Sequence, residues 1–505
     1  MELAPAENSR LTNYRPMFLI AVGMMAGIAA CGIIPEGYAA VLAGVAAVSA
    51  GVFLLLRKKR LVLFSAALLL GAGLAFFTLP TQFKEGRYRI EGNVADIIEV
   101  SENGTVLRLD NVSLDGQSLN KSAETAFPSG MHVEIGDRIS AEASCRMPKD
   151  GSAWYNERLN KLSSGIGCIA DAESITIKSK HNLPLTELVV GIRNTVSERI
   201  AKTFGDDSGI FNALILGLRS EVGEERYAAY RTSGAAHLLA LSGFHVGVLL
   251  AAVSGLIPRN RRKLRLPVIT VAVLLYCTVA AYAPGLVRAG IMAVCYLAAD
   301  RFERRADPLS ALSIAAVLIL IWNPYQLYSV GFRLSFAACF GIALFNSSFK
   351  CGLEKTKLPS KIGSSVAVSA SAIIGTFAFQ MHYFRSFAPY AVICNLIAVP
   401  LFSLIVILGL LVTAFAFIFP AGAAAAAIVP RSLLFAAEKV LSAFGSIPGA
   451  QVEMLCPPIA GCVIYLLLIF VLSEYVLRPL GKKLPYAAVL MFLFTFSCFI
   501  GIIKA

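Results

Sequence analysis

The chain has 505 residues, of which 57% are hydrophobic and only 15% charged. A soluble chain of that size carries about 25% charged residues, so the composition excludes an ordinary soluble protein and fits a polytopic membrane protein. The net charge of +13 is unevenly placed: residues 80–190 hold 12 Lys and Arg against 16 Asp and Glu, a net −4, which leaves +17 for the rest.

Three apolar runs come first, at residues 17–34, 39–56 and 61–79. Arg57, Lys58, Lys59 and Arg60 separate the second from the third. Cytoplasmic loops carry an excess of Lys and Arg, so this loop and the N-terminus read as inside and the segment after Leu79 as outside. Ile28-Ala29-Ala30-Cys31 resembles a lipoprotein cleavage site, but two further runs follow at once, which favours an uncleaved anchor.

Residues 80–184 form the long polar segment. Strand-like runs at 88–100 and 105–114 flank Asn103-Gly104, a hairpin turn dipeptide. Further strand-like runs lie at 138–145 and 167–177, with a short helix expected over 154–162 between them. About five strands with one inserted helix suit a small barrel of the OB type, or an unspecified β-rich domain. Of the eleven cysteines, most sit in apolar runs and read as small core residues. Cys145 and Cys168 lie in the polar segment. They lack a CxxC spacing, which disfavours zinc, and outside the cytoplasm they suit either one disulfide or two unrelated buried thiols. A local basic face is open to Arg87, Arg89, Arg108, Lys121 and Arg138.

Residues 185–204 set Arg193, Glu198, Arg199 and Lys202 against Leu188, Val189, Ile192 and Ile200, the pattern of a helix lying at the membrane surface. A mixed stretch at 210–230 follows. Membrane-length runs are expected near 233–257, 267–283, 285–300, 309–322, 329–349 and 364–380. Basic residues crowd every second connecting loop: Arg259 to Arg265, Arg301 to Arg305, and Lys350 to Lys361. This alternation again puts the β domain outside. Residues 389–419 are too long for one ordinary span, and Asn395 and Pro400 suggest a broken or re-entrant helix followed by a span. Residues 421–444 are amphipathic through Pro430, Arg431, Glu438 and Lys439. Two last runs, 458–476 and 484–503, leave the C-terminus outside. About 11–12 spans are expected in all.

The run from Arg231, RTSGAAHLLALSGFHVGVLLAAVSGLI, carries His237, Ser242, Gly243 and His245. On one ideal helix the two histidines would lie about 12 Å apart along the axis and about 80° apart around it, a poor spacing for one metal ion. Ser242 beside His245 suggests a nucleophile and base, but no third group is evident. Gly243 and Gly247 more often mean close helix packing. No Asp or Glu sits in the middle of a well-defined run. The ionisable groups there are His237, His245, Arg288 and Arg333, with His382 just past a run and Gln380 and Asn395 as neutral companions. Each Arg at a helix centre costs about 2.5–3.5 kcal/mol, less where it snorkels to an interface. A positive pathway without carboxylates suits an anionic cargo rather than a cation. No metal site, cofactor motif, phosphate-binding Gly-rich loop or catalytic constellation is expected.

HLLALSGFHVG from His237 resembles the HLLAISGLHVG signature of the ComEC family of competence proteins. ALILGLRSEV and YRTSGAAH before it, and VRAGIMA, RRADPLSALSIAA, SVGFRLSFAA and ICNLIAVPLFSL after it, resemble family blocks in the same order. The resemblance implies a cytoplasmic-membrane channel for single-stranded DNA in natural transformation. It divides the chain into three N-terminal spans (1–79), an extracytoplasmic OB-like domain (80–184), interfacial helices (185–230), a core channel domain (231–420) and an amphipathic segment with C-terminal spans (421–505). It implies single-stranded DNA and the lipid bilayer as partners, with a periplasmic DNA receptor, a cytosolic helicase and single-strand-binding proteins as further candidates. Many family members carry a C-terminal metallo-β-lactamase-like domain. Its HxHxDH-type motif is absent, so the expectation is no nuclease here, or one on a separate chain. The alternative reading is a secondary transporter or exporter of a small anion or envelope precursor.

Overall fold

The computed structural model describes residues 15–33, 59–101, 104–128, 133, 136–151, 156–180, 184–218, 222–239, 241, 243–257, 264–280, 282–304, 306–356, 358–454, 456–476 and 479–504. The apolar run expected at 39–56 lies outside them. The chain is a polytopic α-helical membrane protein with an inserted, closed β-barrel.

The helical part opens with α1 (Pro16–Ile33) and α2 (Lys59–Phe77), which pack side by side. The barrel follows: β1 (Gly86–Ser101), β2 (Gly104–Leu114), a two-residue β3 (Gln117–Ser118), β4 (Ser122–Phe127), β5 (Asp137–Arg146), helix α3 (Glu157–Ser163) and β6 (Ile166–Lys180). β1 and β2 form the antiparallel hairpin that Asn103-Gly104 signals, with Ser101 opposite Gly104. The sheet runs β1-β5-β6-β4-β2 and closes through β1–β2, with β4 and β6 parallel. Closure removes the free edges that would otherwise invite pairing with another chain. Ile90, Leu107, Leu109, Ile139 and Cys168 fill its interior, each at 0% exposure. The helix expected over 154–162 is shorter, because Asn156 caps it through Oδ1 to the Leu159 amide.

The remaining helices are α4 (Pro184–Phe204), α5 (Ser208–Leu216), α6 (Glu224–Thr232), α7 (Gly243–Leu256), α8 (Arg265–Val279), α9 (Pro284–Arg301), α10 (Pro308–Trp322), α11 (Val330–Glu354), α12 (Ser360–Phe384), α13 (Ala391–Ile418), α14 (Pro420–Ala426), α15 (Ile428–Gly445), α16 (Ile459–Leu472) and α17 (Leu480–Lys504). Among the described residues six stretches are long and apolar enough to cross a membrane unaided: 60–77, α11, α12, α13, 420–445 and 481–499. After Ser208, helix α5 is apolar except for Asn212, which donates to Ser197 Oγ on α4 at 2.9 Å, and is buried from Ile210 to Leu216, so it sits in the bundle core against α4 and α13. Phe204 and Phe211 stack there at 3.8 Å, and Tyr230 meets Phe402 edge-on.

Helices α11 and α12 form a tight hairpin. A Cβ placed on Gly341 would sit 2.3 Å from the Ser371 carbonyl, and one on Gly375 2.2 Å from the Ala337 carbonyl. Only glycine permits that approach, the small-residue packing typical of helices in lipid.

Residues 389–419 differ from expectation. They form one continuous helix of 28 residues with Pro400 inside it, not a broken pair. Proline is tolerated in membrane helices when surrounding packing compensates for the missing bond. Around it Ala398, Ile405 and Val406 are nearly fully buried against the rest of the bundle.

Candidate nucleic-acid interface

The stretch 231–257 is not one helix. Helix α6 ends at Thr232, a 3-10 turn spans Ala236–Leu239, and α7 begins at Gly243. Gly234 adopts φ +75°, which ends the first helix in a left-handed conformation. A Cβ on Gly234 would sit 2.9 Å from the Ala391 Cβ, so the segment lies against the start of α13. A Cβ on Gly285 would sit 2.8 Å from the Leu241 carbonyl, and one on Gly243 3.4 Å from the Ala289 Cβ. The irregular segment is therefore wedged between the N-terminal ends of α9 and α13. Non-helical backbone at membrane depth survives only where protein or a water-filled cavity surrounds it.

This break overturns the one-helix geometry expected for the two histidines. His237 is exposed on the 3-10 turn, with Nδ1 3.2 Å from the Gly234 carbonyl. His245 is buried at 3% exposure on α7, edge-on to Phe244. They occupy different elements. Ser242 lies outside the described residues. Among those residues no group of three His, Cys, Asp or Glu side chains is placed to hold a metal ion.

The arginines meet on α11. Arg288 projects from α9 and is 7% exposed. Its Nη1 donates to both the carbonyl and the hydroxyl of Ser335, and its guanidinium lies 5.9 Å from the Phe336 ring centroid. Its Nε is buried without a hydrogen-bond partner. Arg333, on the first turn of α11, donates from Nε to the Leu327 carbonyl at 2.7 Å and from Nη1 to the Tyr383 hydroxyl at 2.7 Å. The Tyr328 ring lies 5.3 Å away. Next to Tyr383, His382 sets Nδ1 2.9 Å from the Pro457 carbonyl. Arg333 and His382 are thus linked through Tyr383, while Arg288 reaches the same helix two residues farther on, at Ser335. Among the described residues neither guanidinium is paired with a carboxylate, so their charge is balanced only by dipoles.

Gln380 bonds within its own helix, Nε2 to Thr376 Oγ1 at 2.9 Å. Asn395, 9% exposed on α13, buries Oδ1 without a partner. Neither residue contacts the arginine group directly. They share its end of the bundle, because α9, α11 and α13 begin there and α12 ends there.

Sequence reasoning missed a second charged cluster. Arg226 on α6 makes a two-pronged pair with Glu438 on α15, at 3.1 and 2.9 Å, and reaches Asp207 at 3.0 Å. Arg431 closes on Asp207 at 2.9 Å, and the Tyr230 hydroxyl donates to Glu438 at 3.2 Å. The signal was present: Arg226 and Tyr230 are four residues apart, and Arg431 and Glu438 seven, which puts each pair on one helix face.

The basic face considered for the barrel is a mixed-charge surface instead. Arg87 pairs with Glu173 at 3.0 Å, Arg108 with Asp110 at 3.4 Å, and Glu91 faces Arg89, Arg138 and Lys178. Lys178, bonded to Glu91, holds that carboxyl below the usual carboxylate range. Cross-strand pairing of β1 with β5, and of β5 with β6, creates these neighbours, and hydropathy alone cannot reveal them. Inside the barrel Cys145 and Cys168 are free thiols in contact with one another. That contact, and then burial, push the Cys168 thiol up.

Residues 214–479 match the family model described as competence protein. Over 207 residues the chain is 31% identical to ComE operon protein 3 of Bacillus subtilis strain 168, covering 40% of this chain and 26% of that protein. Over 189 residues it is 28% identical to an uncharacterized protein of Aquifex aeolicus strain VF5, covering 37% of this chain and 43% of that one. The aligned region is thus under half the length of either relative. No solved structure matches. The family match spans more than half of the chain and contains the interrupted histidine segment, both arginines and His382, and the chain belongs to the ComEC family of competence proteins.

Proposed function

We propose that this chain is a channel that carries single-stranded DNA across the bacterial cytoplasmic membrane during natural transformation. The observation that carries the reading is the pair of guanidiniums, Arg288 and Arg333, held at the barrel end of the bundle without a carboxylate beside them. Phosphates are the natural counter-charge for such a pair. Family membership points to the same polyanion. The barrel faces outward and meets the strand first, and the basic loops at the far ends receive it inside. We further propose that Cys145 and Cys168, in contact inside the barrel, form one disulfide in that oxidising compartment. Two fewer alkylatable thiols without reductant than with it would support the bond, and an equal count would remove it.

The test is a transformation assay in a naturally competent host. Arg333→Ala should lower transformant yield by about tenfold or more while the protein stays in the membrane, as expected when a charge-assisted contact is lost. Uptake at the normal frequency in a full deletion strain would sink the reading. Purified protein in liposomes decides against the small-anion transporter: transport of a small anion, indifferent to single-stranded DNA, would replace the channel.

A further inference from the structure

The barrel does not hang from its linkers alone. The last carbonyls of a helix have no partner within it, and at the end of α3 the free one is Ser163. Two side-chain amides from the bundle satisfy it. Asn323 Nδ2 donates to the Ser163 carbonyl at 3.0 Å and Gln326 Nε2 donates to the same oxygen at 2.9 Å. Both amides belong to the loop between α10 and α11, where a 3-10 turn spans Pro324–Tyr328. The Lys121 ammonium on the barrel lies 5.9 Å over the Tyr325 ring. The turn is equally fixed on its membrane side. Tyr325 donates its hydroxyl to the Ala75 carbonyl at 2.9 Å and Tyr328 to the Ile28 carbonyl at 3.1 Å.

That same turn holds the arginine. Leu327 supplies the carbonyl that accepts from Arg333 Nε, and Tyr328 supplies the ring beside the guanidinium. From Ser163 of the barrel to the Arg333 guanidinium there are therefore one side-chain hydrogen bond, two residues of turn (Gln326 and Leu327) and a second hydrogen bond. We propose that Asn323 and Gln326 are positioning residues for transport: by docking the barrel they fix the 324–328 turn, and the turn aims Arg333. The inference rests on the uptake reading for its consequence, but the coupling itself is a property of the fold. Load or displacement of the barrel reaches the pathway through this turn rather than through the bilayer.

The test uses the full chain. Asn323 also caps the turn, its Oδ1 accepting from the Tyr325 amide at 3.1 Å. The double variant Asn323→Asp/Gln326→Glu keeps that cap and the side-chain shapes, but sets two acceptors against the Ser163 carbonyl. It should lower single-stranded DNA uptake into liposomes about tenfold, and Tyr383→Phe, which frees Arg333 from the other side, should do the same. Groups acting through one side chain are non-additive, so the triple variant should fall no more than about twofold below the worse parent. A product of the two losses, about a hundredfold, overturns the coupling, as does normal uptake in the docking variant. Amide exchange supplies the readout that does not depend on DNA. Residues 327–336 should exchange faster in the docking variant while α13 is unchanged. An effect confined to the barrel and to 323–326 overturns the proposal. If the wild-type protein moves no DNA, the uptake reading falls, and the exchange result still decides the relay.

Discussion

Arg288 is a buried cation whose neighbours are a helix carbonyl, a hydroxyl and a phenyl face. Removing an ion from water costs several kcal/mol, and without a counter-charge little returns that cost. Replacing such a group with an apolar side chain of similar length is neutral or stabilising. The Ser335 carbonyl keeps its place in the helix ladder of α11, so it is not orphaned by the change. Arg288→Met should leave thermal stability in detergent unchanged or raise it by about 1 kcal/mol, while transformation falls about tenfold. Lost stability with normal uptake would make Arg288 a structural staple and remove it from the pathway. The sequence displays the arginines as isolated charges in apolar runs, which is why they stand out. Their partners were not visible, because Ser335, Leu327 and Tyr383 are ordinary residues brought in by helix packing.

Local chemistry predicts elements well and their breaks poorly. Asn103-Gly104 locates the β1–β2 hairpin because a two-residue turn is decided within a few residues. The parallel pairing of β4 with β6 depends on chain closure, and nothing local encodes it. The interruption at 233–239 was hidden because four of its residues, Ala235, Ala236, Leu238 and Leu239, are as apolar as a helix interior. Gly234 and Gly243 were the available signs. Pro400 misled in the opposite sense, since its helix runs on. Helix α3 shows a local device with a testable pH response. Arg146 bonds both Glu157 oxygens at 3.2 and 3.1 Å, and the Lys149 amide adds a third bond at 3.1 Å. The hydrogen bond from Arg146 is the main cause that holds the Glu157 carboxyl below its usual range. A carboxyl lowered on folding stabilises above its unfolded value, about 4.3, and that contribution is lost as pH falls through the lower folded value. Below about pH 4, α3 should therefore loosen from the barrel, read as rising protease sensitivity near residue 157. Glu157→Gln should show that sensitivity at neutral pH as well. Identical cleavage of variant and wild type at pH 7 would refute the role of the pair.

Across the described residues of the bundle, two charge clusters are of opposite kinds. The cluster of Asp207, Arg226, Arg431 and Glu438 is balanced, two cations against two anions, and it joins residues more than two hundred positions apart around buried α5. Arg288 and Arg333 are unbalanced and lie at the end that carries the barrel. A balanced network contributes to stability and is invisible to a distant polyanion. An unbalanced pair contributes little to stability and is felt by phosphate. The two kinds should separate in one experiment on purified protein. Glu438→Gln removes one anion from a partly exposed network and should lower stability by about 1–2 kcal/mol, because Arg226 loses a charge-assisted partner. It should leave the salt dependence of single-stranded DNA binding unchanged. Arg333→Ala should do the reverse, leaving the unfolding midpoint nearly unmoved. The slope of log affinity against log salt should shrink by about 0.7, the value of one phosphate contact on a single strand. A slope change in Glu438→Gln would place that cluster on the strand's path. An unchanged slope in Arg333→Ala would leave Arg333 with no phosphate to contact, and the proposed channel would need another cation to meet the strand.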